Sequence, residues 1–226
     1  MKKLLKFLML VILAAAGVLA YQGYDKYSSA LKNAPLAEKT AEIRAQENYT
    51  PIDELPKTFV NAMVAVEDRR FFRHRGFDAR GTARAIVTDI RTRSLAEGGS
   101  TITQQLAKNI YFPLDDSPAR KIAEIFMALK IESEYSKSDI LELYFNVIYY
   151  GKGCYCIYDA AQEYFGKKPS ELTDYESTML AGLPNAPSVL SAAPERAAER
   201  QKKVLKSMVR TGYITESEMN KILNEG

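Results

Sequence analysis

Glu67-Asp68-Arg69-Arg70-Phe71-Phe72-Arg73-His74-Arg75-Gly76 follows directly on an apolar run, Phe59 to Val66. The run is apolar nearly all round, so it reads as a buried helix, and it brings two adjacent carboxylates to that helix's end. Four arginines and the chain's one histidine come next. A carboxylate held against a buried segment can have its pKa raised towards the range of a general base. Arginines beside it suit phosphate groups. The plain alternative for Glu67 is a helix-end carboxylate paired with Arg69 or Arg70, and the carboxylate alone does not decide between the two.

Outward from this stretch, the pattern is helical. Asp78 is placed to cap a helix whose stripe is Ala83, Ile86, Val87 and Ile90. Residues 94–100 read as a Gly-containing loop, after which Ser100 or Thr101 caps a short helix through Asn109. Ile122, Ile125, Phe126 and Leu129 form one helical face, and Ile140, Leu141, Tyr144, Phe145 and Ile148 another. Thr173 with Glu176 predicts a capped helix ending near Gly182. Pro194 opens a helix that stops near Gly212, and Thr215 with Glu218 starts the last one. Strand patterns are weak. The fold class expected is mainly α, with one folded domain over residues 51–226.

Residues 1–21 read as a membrane anchor. Lys2, Lys3 and Lys6 precede an uncharged run from Phe7 to Tyr21; with Leu4 and Leu5 it nears bilayer-spanning length if Lys6 snorkels. The lysine flank puts that end in the cytoplasm and the domain outside. A cleaved signal peptide is the rival, with Val18-Leu19-Ala20 a poor cleavage site. Residues 22–50 read as a stalk or neck. A net charge of +3 over 226 residues gives no case for nucleic acid. Cys154 and Cys156, one residue apart, are expected as free thiols because a bridge between them is strained. A single histidine argues against a Cys/His zinc site.

Three further groups bear chemistry. In Gly98-Gly99-Ser100-Thr101-Ile102-Thr103-Gln104-Gln105, followed by Lys108 and Asn109, seven of the first eight residues are glycine or hydrogen-bonding types. Glycines let backbone approach a ligand, and the helix N-terminus behind them suits an anion. The spacing excludes a P-loop. Arg120, Lys121 and Glu124 are i, i+3 and i+4 neighbours on a helix, either a surface ion pair or a diphosphate clamp. Glu142 and Asn146 are spaced to brace a neighbouring helix.

Taken in order, these segments resemble the peptidoglycan glycosyltransferases, the monofunctional enzymes and the glycosyltransferase module of class A penicillin-binding proteins. Glu67 to Gly76 is similar to the family's Glu-Asp-x-x-Phe-x-x-His-x-Gly, and Gly98 to Gln105 to its Gly-Gly-Ser-Thr-Ile-Thr-Gln-Gln. Arg120, Lys121 and Glu124 are similar to its Arg-Lys-x-x-Glu, and Lys137 to Asn146 to its fourth motif. The resemblance implies a lysozyme-like, two-lobed helical fold that polymerises lipid II on the outer face of the bacterial cytoplasmic membrane. It implies Glu67 as the base and Glu124 as a second carboxylate assisting the leaving diphosphate or its metal, a divalent Mg or Mn being plausible. Arg120, Lys121 and Lys108 would hold diphosphate oxygens. Asp68, Phe71, His74, Gly98, Gly99, Ser100, Thr101, Gln104, Gln105 and Asn109 would complete the substrate site. Partners implied are lipid II, the growing lipid-linked strand, the membrane and other cell-wall synthesis proteins, with moenomycin as an inhibitor.

The sequence departs from the family at Ala123, at Asp115 and Asp116 and at Cys156; the departures imply either weaker diphosphate binding or a shift of the load to Lys108 and Arg120. A membrane-anchored lysozyme-like hydrolase and a non-catalytic cell-wall scaffold are the competing readings. Ser29-Ala30-Leu31-Lys32 fits Ser-x-x-Lys but falls in the stalk, and no Lys-Thr-Gly follows, so a penicillin-reactive domain is not expected in this chain.

Overall fold

The computed structural model describes residues 2–84 and 99–225. It is mainly α. Among the described residues, extended pairing is limited to two isolated bridges, Arg75 with Phe77 and Gly151 with Cys154. The helices are α1 (Lys2–Asn33), α2 (Leu36–Arg44), α3 (Lys57–Glu67), α4 (Ile102–Tyr111), α5 (Pro118–Glu134) and α6 (Lys137–Phe145). They continue as α7 (Ile157–Phe165), α8 (Asp174–Gly182), the single turn α9 (Pro187–Leu190), α10 (Pro194–Thr211) and α11 (Glu216–Leu223). Residues 79–84 are helical directly after Asp78; Ile86, Val87 and Ile90 lie outside the described residues.

Local chemistry explains most of the boundaries. Thr173 and Thr215 each accept from the backbone N–H three residues on, while Glu176 and Glu218 return the bond. Ser117 caps α5 with Pro118 in its first turn. α10 starts at Pro194 and ends on Gly212 at φ 79°. Cys156 caps α7, its Sγ accepting from the Asp159 N–H at 3.4 Å. Both cysteines are free and buried.

α3 is enclosed by α8 and α10 on one side, and α4 packs on α5 and α6 on the other. Phe59 of α3 meets Phe145 of α6 edge to face, with ring centroids 5.0 Å apart. This packing fixes the C-terminal end of α3, and with it Glu67, between α4 and α10. Gly23, Leu36, Thr40 and Ile43 are also buried, so the segment that reads as a neck packs onto the domain from residue 23. Glu142 accepts from the Tyr49 hydroxyl and from Ile52 N, and Asn146 bonds both Thr50 N and Thr50 O. The two residues do brace, but what they hold is the loop at 49–52 rather than a neighbouring α-helix.

The stripe Ile122, Ile125, Phe126 and Leu129 is helical, but it is not the core face. α5 buries Ala119, Ala123, Glu124, Met127, Ala128 and Ile131. Ile122 and Phe126 meet α1 instead, and Leu129 is exposed. Met127 and Ile131 join Ala123 in the core, while Ile122 and Phe126 turn towards α1.

Candidate active site

Glu67 closes α3, and its two oxygens have different surroundings. Oε2 accepts from Gln105 Nε2 at 2.9 Å. Oε1 has no hydrogen-bond partner, and the Arg200 guanidinium stands 3.5 Å away. Gln105 is held in turn by the buried Tyr144 hydroxyl, which donates to its Oε1 at 2.8 Å. Burial lowers the pKa of the Arg200 guanidinium, while the Glu67 charge works the other way.

Asp68 faces inward. Its Oδ2 accepts from Ile102 N at 3.1 Å and lies 2.8 Å from His74 Nε2. It thereby ties the end of α3 to the start of α4 through a side chain rather than through the core. Thr101 caps α4, bonding Gln104 N, and donates to Gly76 O at 2.6 Å; the Gln104 amide oxygen closes the box on Thr101 N. Phe71 is fully buried and carries the Lys137 ammonium over its ring at 4.1 Å. Phe71, His74 and Gln104, expected among the substrate contacts, are therefore supports. Phe71 and Gln104 are buried and the His74 side chain is 5% exposed; His74 Nε2 is spent on Asp68, and the Gln104 amide oxygen on the cap of its own helix. Gly98 lies outside the described residues.

Two clefts meet at Glu67, with Ser100 and Asn185 common to both. One is lined by Gln105, Lys108, Asn109, Arg120, Lys121 and Tyr149. The other is lined by Asp68, Arg69, Arg70, Asp78, Gly99, Thr101, Arg200, Lys203 and Arg210. Behind the first, Glu124 is 1% exposed. Its Oε1 accepts from Arg120 and its Oε2 from Lys121 Nζ at 2.8 Å; the same ammonium donates to Ser100 Oγ at 2.6 Å. Glu124 therefore stands behind the cations and does not line the cleft itself.

Both Glu124 oxygens are taken, and among the described residues no three His, Cys, Asp or Glu side chains converge. The donor set does not suit a protein-held Mg or Mn ion. Arg200, Tyr144, Lys203 and Arg210 were not among the residues expected in the site. Their helical spacing marks packing faces or a solvated stripe, and nothing local marks them as neighbours of Glu67.

A family model described as Transglycosylase matches residues 33–209. The chain is 46% identical over 182 residues to penicillin-binding protein 1A of Neisseria gonorrhoeae, covering 80% of this chain and 23% of that protein. It is 44% identical over 179 residues to penicillin-binding protein 1A of Aquifex aeolicus, covering 78% of this chain and 25% of that protein. The chain thus spans about a quarter of the length of these curated relatives. A solved structure of penicillin-binding protein 1A from Haemophilus influenzae aligns with TM-score 0.46 and 24% identity, over 79% of this chain and 17% of that one.

Proposed function

The chain belongs to the transglycosylase family, and on that premise we propose that it polymerises lipid II into peptidoglycan glycan strands by inverting β-1,4 glycosyl transfer, releasing undecaprenyl diphosphate. The observation that carries this reading is the position of Glu67 at the junction of two cation-lined clefts. An enzyme that joins one lipid-diphosphate sugar to another has two anionic chains to hold, with a base between them.

Glu67, steadied through Oε2 and faced at Oε1 by the Arg200 guanidinium, takes the proton of the acceptor's 4-hydroxyl. The acceptor oxygen attacks the anomeric carbon from the face opposite the leaving group. The bond from that carbon to the diphosphate oxygen breaks, and its electron pair leaves with the diphosphate. Arg120, Lys121 and Lys108 meet the charge that develops there. A lysozyme-type hydrolase needs a proton donor at the leaving oxygen. A paired set of cations in that place favours diphosphate departure instead.

α1 is long and apolar enough to cross a membrane. Its N-terminal lysines orient it with that end in the cytoplasm and the domain outside, which makes the protein a single-pass enzyme of the cytoplasmic membrane. The test is incubation of the full chain with lipid II in vesicles. Moenomycin-sensitive polymer supports the reading; no polymer, with cleavage of finished glycan, supports the hydrolase.

A further inference from the structure

Cys154 and Cys156 flank Tyr155 in the loop that leads into α7. Tyr155 is 62% exposed, while both cysteines are buried and free. Cys156 is extended, at φ −144° and ψ 166°. Alternate residues of an extended segment face one side, so the two thiols look inward together. Two residues of extended chain span at most about 7 Å, and a disulfide takes Cα atoms about 4.4–6.8 Å apart. A bridge here sits at the long end of what the bond accepts. It closes if the segment shortens slightly, and it stays strained and easily reduced.

Shortening is felt on both sides of the pair. Cys156 Sγ accepts from Asp159 N at 3.4 Å as the cap of α7, and a sulfur turned towards Cys154 gives that bond up. Cys154 closes the preceding turn, its carbonyl accepting from Tyr150 N and its N–H donating to Gly151 O, each at 2.9 Å. The Gly151 end is pressed against α9: a Cβ there would stand 2.7 Å from Ser191 Cβ and 2.8 Å from the Pro187 carbonyl oxygen. Movement therefore falls on Tyr155. Its ring lies 4.7 Å from that of Tyr149, whose hydroxyl also accepts from Gly153 N at 3.4 Å. Tyr149 lines the same cleft as Arg120 and Lys121, so the thiols reach the cleft through one pair of tyrosines.

We propose that Cys154 and Cys156 form a reversible dithiol–disulfide switch, and that oxidation uncaps α7 and draws Tyr155 and Tyr149 out of place at the cleft wall. The inference goes beyond the proposed activity and rests on the outward orientation of the domain, because disulfides persist in oxidising compartments. The oxidant is another disulfide, of a protein or a small molecule. The thiolate of one cysteine attacks it and displaces one of its sulfurs as a thiol; the second cysteine then attacks the mixed disulfide and displaces the other. Two electrons and two protons pass to the oxidant, which ends as two thiols. Burial raises the pKa of both cysteines, so exchange waits on opening of the loop.

The test takes the full-length protein in vesicles through glutathione buffers from fully reduced to fully oxidised. Thiols are counted by alkylation and peptide mass, and the first turn of α7 is followed by hydrogen exchange. Expected is a fall from two thiols to none without glutathione adducts, with exchange about fivefold faster at the Asp159 amide. Dithiothreitol should reverse both changes, and Cys154→Ala should show neither, with Cys154→Ser in its place if the alanine variant does not fold. Thiols that stay alkylatable in fully oxidised buffer, glutathione adducts in place of the bridge, or a bridge that leaves α7 exchange unchanged overturn the proposal. Lipid II polymerisation is read beside these. The oxidised protein should be roughly fivefold slower, and equal rates overturn control of the cleft. Protein that bridges and uncaps but makes no polymer in either state sinks the proposed activity and leaves the switch standing.

Discussion

Gln105 Nε2 donates to Glu67 Oε2 at 2.9 Å, and the amide can point only one way. A carboxylate only accepts, so the NH2 faces Glu67 and the amide oxygen is left to the Tyr144 hydroxyl at 2.8 Å. Burial first, and then the Glu67 charge, push the pKa of Tyr144 well above its ordinary value, so it remains a donor at all working pH values. The carboxylate is thus oriented from the core through two side chains.

Tyr144→Phe removes the group that orients Gln105 while leaving the ring in place. The unsatisfied buried amide oxygen is expected to cost about 1–3 kcal/mol of stability. Steady-state kinetics with lipid II should show kcat falling about tenfold with KM little changed, because the base is misaimed and the cations are untouched. A rise in KM with unchanged kcat would place Tyr144 in substrate binding instead.

Glu124→Ala leaves Arg120 and Lys121 without their shared counter-ion. The stability cost is expected near 2 kcal/mol, below that of a fully buried pair because Lys121 reaches solvent. The KM for lipid II should rise as the two cations lose their fixed positions. In the wild type, EDTA should leave turnover within about twofold, since protein cations meet the leaving charge. Abolition by EDTA with rescue by Mg would show that the diphosphate brings a required metal of its own.

Gly76 sits at φ 86°, and a Cβ there would lie 2.8 Å from the Ala128 backbone. Its carbonyl accepts from Thr101, so it also sets the start of α4. Gly76→Ala combines left-handed strain with a clash and is expected to destabilise by roughly 2–3 kcal/mol. The check is a chemical denaturation curve; a midpoint equal to wild type would mean the turn moves freely.

Burial raises the Cys156 thiol to about 11, although the Asp159 backbone N–H it accepts works against the rise. An acid whose pKa is raised by folding stabilises the fold fully below its unfolded value, about 8.5. That contribution is lost as pH climbs from there through about 11. Cys156→Ser keeps a capping acceptor without titrating in this window. Denaturation midpoints taken between pH 7 and 10.5 should therefore move in favour of the serine variant as pH rises; a pH-independent gap between the two would count against the buried thiol.

What could be read from the chain was what local chemistry marks. The Thr173–Glu176 and Thr215–Glu218 boxes, and the Pro194 to Gly212 span, depend on residues three or four positions apart and appear where expected. The ordered motifs likewise place Glu67, Ser100, Gln105, Lys108, Arg120 and Lys121 along one cleft. Periodicity identified α5 as a helix but not the partner of each face; its closest packing runs through alanines that carry little hydrophobic signal. Arg200 was illegible because nothing distinguishes it from Arg196 or Arg210 on the same helix until α10 is laid against α3. Phe71, His74 and Gln104 show the opposite failure: motif residues that hold α3, α4 and the loop between them rather than the ligand.

The most direct measurement is lipid II polymerisation by Glu67→Gln beside its thermal melt. The amide keeps the shape of the side chain and its place beside Arg200 but cannot take a proton. Expected is a fall in kcat of about 100-fold or more, with the melting temperature near that of wild type. Turnover comparable to wild type in a folded Glu67→Gln protein would contradict the assignment of Glu67 as the base.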